Sequence, residues 1–312
     1  FYFLGDYFMA LFDSKEKKAE KKAVKEKAKE LRDEYKKDLP IGVMDSGIGG
    51  LSILKEARKI LPKEDFIYFG DSKHAPYGMK TTEEIRELTF EAFDYLNAKG
   101  IKAFVVACNT ATGAAIRELR EAHPEMPIIG VEPAIKPAVV CNQGGRIIVM
   151  ATPATLRQQK FKELLSKYEN EAEIVTVGCD GLVELIENGN FDRKIIFGYL
   201  NTKIAPLLTE NVESIVLGCT HYPITKDIIQ QLLPNTRLIS QDEFMGQKLT
   251  NYLKRHPEIE TKLSRKGTRR FYITEENQHY VQVAHQIEPT ICLEKVRIIC
   301  NATGLLPGTF SI

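Results

Sequence analysis

The chain has 312 residues, 43% of them hydrophobic, with 43 Lys and Arg set against 42 Asp and Glu for a net charge of +1. That length can bury a large core and points to two domains, while the near-zero charge gives no reason to expect a nucleic acid or an anionic membrane as partner, so a small molecule is the expected ligand. No run approaches the ~20 apolar residues of a membrane-spanning helix, and the six cysteines (108, 141, 179, 219, 292 and 300) are scattered as free thiols of a reduced, cytoplasmic protein would be.

Residues 1–38 begin apolar and continue as a Lys-, Glu- and Ala-rich arm in which Val24, Ala28, Leu31 and Tyr35 recur at helical spacing. This predicts a helix with one thin apolar stripe, either a docking or dimerisation arm or a solvated appendage. A secretory signal would place positive charge ahead of its apolar stretch, so secretion is not expected. From residue 39 the texture changes. Strands are predicted over 41–44, 66–69, 103–107, 128–131, 146–150, 173–177, 214–217, 237–239 and 269–273. Helices are predicted over 51–61, 82–99, 114–122, 134–140, 155–168, 181–187, 192–209, 226–233, 243–256 and 278–286. Such alternation predicts an α/β fold of doubly wound parallel sheets with helices on both faces. Prolines and polar turns at Val131-Glu132-Pro133-Ala134 and Ile239-Ser240-Gln241 divide the pattern. The expected organisation is a discontinuous first domain, 39–131 plus 240–287, and a second domain, 132–239, closing on one cleft. Residues 288–312 form a tail with one strand-like run at 296–300 and no functional reading.

Ligands of open parallel sheets bind outside the carboxyl ends of the strands, and four stretches fall there. Asp45-Ser46-Gly47-Ile48-Gly49-Gly50 follows the first strand as a glycine-rich turn into a helix; the glycines allow close backbone approach and the helix start favours an anion, or they serve turn geometry alone. The third glycine of a dinucleotide fingerprint would fall at Ser52, and no phosphate-loop Gly-Lys-Ser/Thr follows. Asp71, with Pro76-Tyr77-Gly78, ends the second strand in a rigid turn. Cys108-Asn109-Thr110-Ala111-Thr112 and Gly218-Cys219-Thr220-His221-Tyr222-Pro223 each deliver a cysteine from a buried strand into polar turn residues. A lone cysteine is most often a small buried hydrophobe; two in matched settings, each near a helix start that would favour a thiolate, point to chemistry.

Cys219 and His221 alone are too few for a zinc site, and a Cys-His hydrolase would leave Cys108 unexplained. Two thiols suit proton transfer across both faces of one carbon, one removing a proton and the other returning one, with no net redox change. Each then wants an ionisable partner: Asp45 and His221 are the candidates, with Glu187 a third, although the sequence alone favours reading it as a solvated helix end.

The four ordered motifs, between residues 41 and 286, together resemble glutamate racemase, of the cofactor-independent aspartate/glutamate racemase family; Phe271-Tyr272-Ile273-Thr274 is similar to its last strand. The resemblance implies two α/β domains with the site between them, a homodimer, and D-glutamate made for peptidoglycan without pyridoxal phosphate, nucleotide or metal. It implies that Cys108 and Cys219 are the two acid/base residues. Asp45 would assist Cys108 and His221 would assist Cys219, with Glu187 and Asp71 in support. Asp45, Ser46, Tyr77, Gly78, Asn109, Thr110, Thr152, Thr155, Thr220 and His221 would line the substrate. The arm before residue 39 and the tail after 287 depart from the family pattern, and Ile239-Ser240-Gln241 lacks the acidic residue often found there. An aspartate racemase, or a non-catalytic amino-acid-binding module, is the alternative.

Overall fold

The computed structural model describes residues 39–189, 192–208, 211–245, 251–252, 266–275, 278–289 and 291–295. The arm expected over 1–38 and the strand-like run at 296–300 lie outside these, as does most of the helix expected over 243–256.

Two all-parallel sheets carry the described chain. The first is six-stranded, built from β1 (Ile41–Asp45), β2 (Phe66–Gly70), β3 (Ala103–Val106), β4 (Ile128–Gly130), β9 (Arg269–Ile273) and β10 (Leu293–Lys295), in the order β10-β9-β2-β1-β3-β4. The second is four-stranded, β6-β5-β7-β8, with β5 Arg146–Ala151, β6 Ile174–Gly178, β7 Val212–Leu217 and β8 Arg237–Ser240. The helices are α1 (Gly50–Ile60), α2 (Thr82–Ala98), α3 (Asn109–Ala122), α4 (Ile135–Val140), α5 (Pro153–Arg157), α6 (Gln159–Ser166), α7 (Leu182–Glu187), α8 (Arg193–Ile204), α9 (Lys226–Leu232) and α10 (Gln278–Ile287).

The continuous apolar strands follow from burial on both faces. In β1, Ile41 and Val43 face one core with Leu51 and Leu54 of α1, while Met44 faces another with Phe93 and Leu96 of α2. In β5, Ile148 and Met150 pack against Ile196 and Leu200 of α8, and Ile147 and Val149 against Ile135 of α4 and Phe161 of α6. Each inner strand is thus fixed from two sides, and its carboxyl end is a rigid platform.

Three elements differ from the sequence reading. α3 starts at Asn109, five residues earlier than expected, because Cys108 is its N-cap: the sulfur accepts the Ala111 N–H at 3.4 Å, so Asn109 to Thr112 are absorbed into the first turn. The helix expected over 155–168 is two, broken at Gln158, whose backbone is extended (φ −70°, ψ 138°). Within the tail, Leu293–Lys295 form β10, which pairs with β9 and widens the first sheet.

Candidate active site

Because every strand is parallel, all carboxyl ends in a sheet lie along one edge. The two edges meet across a seam crossed by short polar contacts. The Asn109 amide donates to the Gly218 carbonyl at 2.9 Å, the Thr220 hydroxyl donates to Asp45 Oδ1 at 3.1 Å, and the Ile48 N–H donates to Glu187 Oε1 at 2.9 Å.

β1 brings Asp45 to this seam fully buried. Its Oδ2 accepts the Gly47 N–H at 3.1 Å, and its other oxygen is taken by Thr220. Burial pushes the carboxyl up to about 6, against the pull of His221 and of the Gly47 and Gly50 backbones. The glycine turn is compact by necessity. A Cβ at Gly47 would stand 1.9 Å from Glu187 Oε1, and one at Gly50 would stand 2.4 Å from the Asp45 Cβ. The buried Tyr68 hydroxyl fixes the turn from below, donating to the Gly47 carbonyl at 2.6 Å.

β3 delivers Cys108, 4% exposed, with Ser46 Oγ 3.4 Å from its sulfur. Burial and then the neighbouring Asp45 charge push this thiol up to about 12, while hydrogen bonds from Ser46 and Ala111 pull it down. Asp45 therefore acts on Cys108 through its charge, and Ser46 and the Ala111 N–H are the groups in contact with the sulfur. The Cys219 charge is felt at Cys108 as well, which puts both thiols in one electrostatic environment.

β7 delivers Cys219, 7% exposed, whose sulfur lies 3.7 Å from His221 Nδ1. The other ring nitrogen, Nε2, lies 2.5 Å from Glu187 Oε1 at the end of α7. Burial alone would lower the imidazole, but the hydrogen bonds to Cys219 and Glu187 and their charges prevail and hold it well above its ordinary value. Cys219, His221 and Glu187 thus form a chain, and Glu187 closes it back onto the first lobe through Ile48.

The remaining expected residues gather around these. Thr110, Thr152 and Thr155 form a triangle of hydroxyls 2.9 to 3.0 Å apart, with Thr110 from α3 and the other two from the N-cap and first turns of α5. Tyr77, in a short 3-10 turn with Gly78, donates to Asp71 at 2.7 Å, and Gly78 lies against Thr152 so closely that a Cβ would come within 2.8 Å. Asp71 also accepts from Thr274 at 2.8 Å, at the carboxyl end of β9. Tyr68, Thr274 and Gln158 are not among the site residues expected from the sequence. Thr274 could have been found by its place just beyond a strand's carboxyl end; the other two carry no local signal. Among the described residues, no cluster of three or more His, Cys, Asp or Glu is arranged to hold a metal ion.

Two parallel-sheet lobes meeting over two thiols, an imidazole and buried carboxylates have the layout of an enzyme that moves protons on a small polar substrate. The chain belongs to the Asp/Glu/Hydantoin racemase family, whose sequence model matches residues 41–241. It is 46% identical to a glutamate racemase of Clostridium botulinum strain Hall over 251 residues, 80% of this chain and 97% of that one. It is 53% identical to a glutamate racemase of Clostridium perfringens strain 13 over 197 residues, 63% of this chain and 76% of that one. Its fold is similar to the crystal structure of Francisella tularensis glutamate racemase in complex with D-glutamate, with a TM-score of 0.73 and 31% identity, covering 84% and 98% of the two chains. It is also similar to Escherichia coli glutamate racemase in complex with L-glutamate and the activator UDP-MurNAc-ala, with a TM-score of 0.70 and 28% identity, covering 84% of this chain and all of that one.

Proposed function

We propose that this protein interconverts L-glutamate and D-glutamate by a two-base proton transfer at Cα, and so supplies D-glutamate for peptidoglycan. The observation that carries the reading is the delivery of Cys108 and Cys219, by β3 and β7, to one buried seam with a different acid/base partner behind each. In one direction a thiolate on one side takes the Cα proton, leaving the electron pair on Cα, and the opposite thiol donates its proton to the other face. The sulfurs end with their protonation exchanged and no electron has left the substrate.

The paired environments divide the work. Asp45, mostly ionised at neutral pH, provides negative charge beside Cys108, which disfavours a resting thiolate there; the substrate's α-ammonium, on arrival, supplies the opposite charge. On the other side the His221 imidazolium compensates a negative sulfur on Cys219, and Glu187 holds the ring. Ser46, Tyr77, Gly78, Asn109, Thr110, Thr152, Thr155 and Thr220 are assigned to the substrate, as acceptors for its ammonium and donors to its carboxylate that are already fixed in place. The protein is further proposed to work as a cytoplasmic homodimer with no cofactor. No described helix is long and apolar enough to cross a membrane. The two lobes are read as domains, 39–131 plus 240–287 and 132–239.

Purified protein incubated with L-glutamate in deuterated water, without added cofactor, should drive it to the racemate with deuterium at Cα; aspartate is the control. Unchanged glutamate, or faster racemisation of aspartate, would overturn the assignment.

A further inference from the structure

Gln158 stands at the break between α5 and α6, in the second lobe, yet its side chain ends in the first. Its amide nitrogen donates to the Thr110 carbonyl, in the first turn of α3, at 2.9 Å. The residue is 4% exposed, and its amide oxygen has no hydrogen-bond partner among the described residues. The assignment of the two amide atoms is forced, since an oxygen turned toward the Thr110 carbonyl would meet another acceptor. A buried acceptor left unmet is unfavourable. The oxygen lies over Gly113, one helical turn from Thr110, where a Cβ would stand 1.7 Å from it; outside the helix's own backbone, the three heavy atoms nearest that Cβ all belong to this amide. A glycine inside a helix is itself unfavourable. Two locally unfavourable choices, on separate elements, therefore meet at one contact.

The geometry points to Gln158 as a positioning residue, which holds the first turn of α3 against the second lobe and thereby sets the aim of Cys108, with Gly113 kept small to admit it. The chain of contact is short. Cys108 caps α3, Thr110 lies two residues on, its carbonyl is held by Gln158, and its hydroxyl meets Thr152 and Thr155. Gln158 touches neither thiol and is offered no role in the proton transfer itself. The inference rests on the racemase reading.

The test is a cycle of four proteins, wild type, Gln158→Ala, Gly113→Ala and the double variant, with Gln158→Met as a packing control. kcat and KM for glutamate are measured in both directions, with the melting temperature of each. Misplacing one reacting group should lower kcat about ten- to a hundredfold with KM within about twofold. This is expected for Gln158→Ala, for Gln158→Met, which keeps the length but not the donor, and for Gly113→Ala, whose methyl displaces the amide. The double variant should be no slower than Gln158→Ala and should melt above it, because alanine then replaces a helical glycine with nothing left to strike. Wild-type turnover in Gln158→Ala, recovery in Gln158→Met, or losses that multiply in the double variant would each overturn the inference. A wild type that fails to racemise glutamate would instead overturn the function, and the two failures cannot be confused.

Discussion

At the scale of single residues, the site rests on unlike partners for like thiols. Removing either sulfur, Cys108→Ala or Cys219→Ala, should lower racemisation by 10² or more, since a positioned acid or base supplies about 10²- to 10⁴-fold; chiral chromatography of the glutamate pool measures this. The enantiomers have equal free energies in water, so kcat/KM must match in the two directions at every pH. The asymmetry between an aspartate behind Cys108 and an imidazolium behind Cys219 therefore has to show in kcat, whose pH profiles should differ between L- and D-glutamate, and coincident profiles would contradict the pairing. Asp45 also affects stability. Its carboxyl is raised from 3.8 to about 6, so between those values the fold binds more protons than the unfolded chain, and stability falls as pH rises through that window. The full loss is about 3 kcal/mol at 1.36 kcal/mol per unit. Asp45→Asn has no such titration, so denaturant unfolding should show it gaining on wild type by about that much from pH 4 to pH 7, and a constant difference would remove Asp45 as the cause. Both thiols, Asp45 and His221 were legible because each follows a strand that announces its own end. Glu187 looked more like a solvated helix end, since its partners, Ile48 and His221, are set by tertiary contact.

At the scale of elements, the sequence carried the strands well, because burial on both faces makes them near-continuous apolar runs, and carried the helix ends poorly. The start of α3 was hidden by a cysteine in a capping role usually filled by Ser, Thr, Asp or Asn. The break at Gln158 has no proline or glycine to mark it; it coincides with a contact to Thr110, a residue on another lobe. The glycines separate by what surrounds them. Gly47→Ala would drive a methyl into Glu187 Oε1 and part the turn from α7, and a tenfold or greater fall in kcat/KM is expected in steady-state assays. Gly198→Ala, in α8 where no described atom beyond the helix's own backbone comes within 4 Å of the new Cβ, should instead raise stability by about 0.5–1 kcal/mol with turnover unchanged, read from thermal unfolding.

At the scale of the whole molecule, the two lobes are joined at their carboxyl edges by a few short polar contacts, and a ligand bound there would be held from both sides. Glutamate at about a hundred times its Kd should therefore stabilise the fold by about 2.7 kcal/mol, seen as a rise in melting temperature; no rise at saturating glutamate would mean that it does not bind the folded seam. The way the chain distributes its strands has a further effect, on the route to the fold. The second sheet is drawn from one continuous span, β5 to β8, whereas β2 in the first sheet must wait for β9, and the Thr268 N–H reaches Asp65 Oδ1 across a separation of 203 residues. Closing so long a loop before any contact rewards it is slow. During refolding, amides of β5 and β7 should gain protection from exchange ahead of those of β2 and β9. On a ribosome the lobe that holds Cys219 would be complete while the one that holds Cys108 still lacked its edge, so the two halves of the proposed catalytic pair would mature in the reverse of their order along the chain.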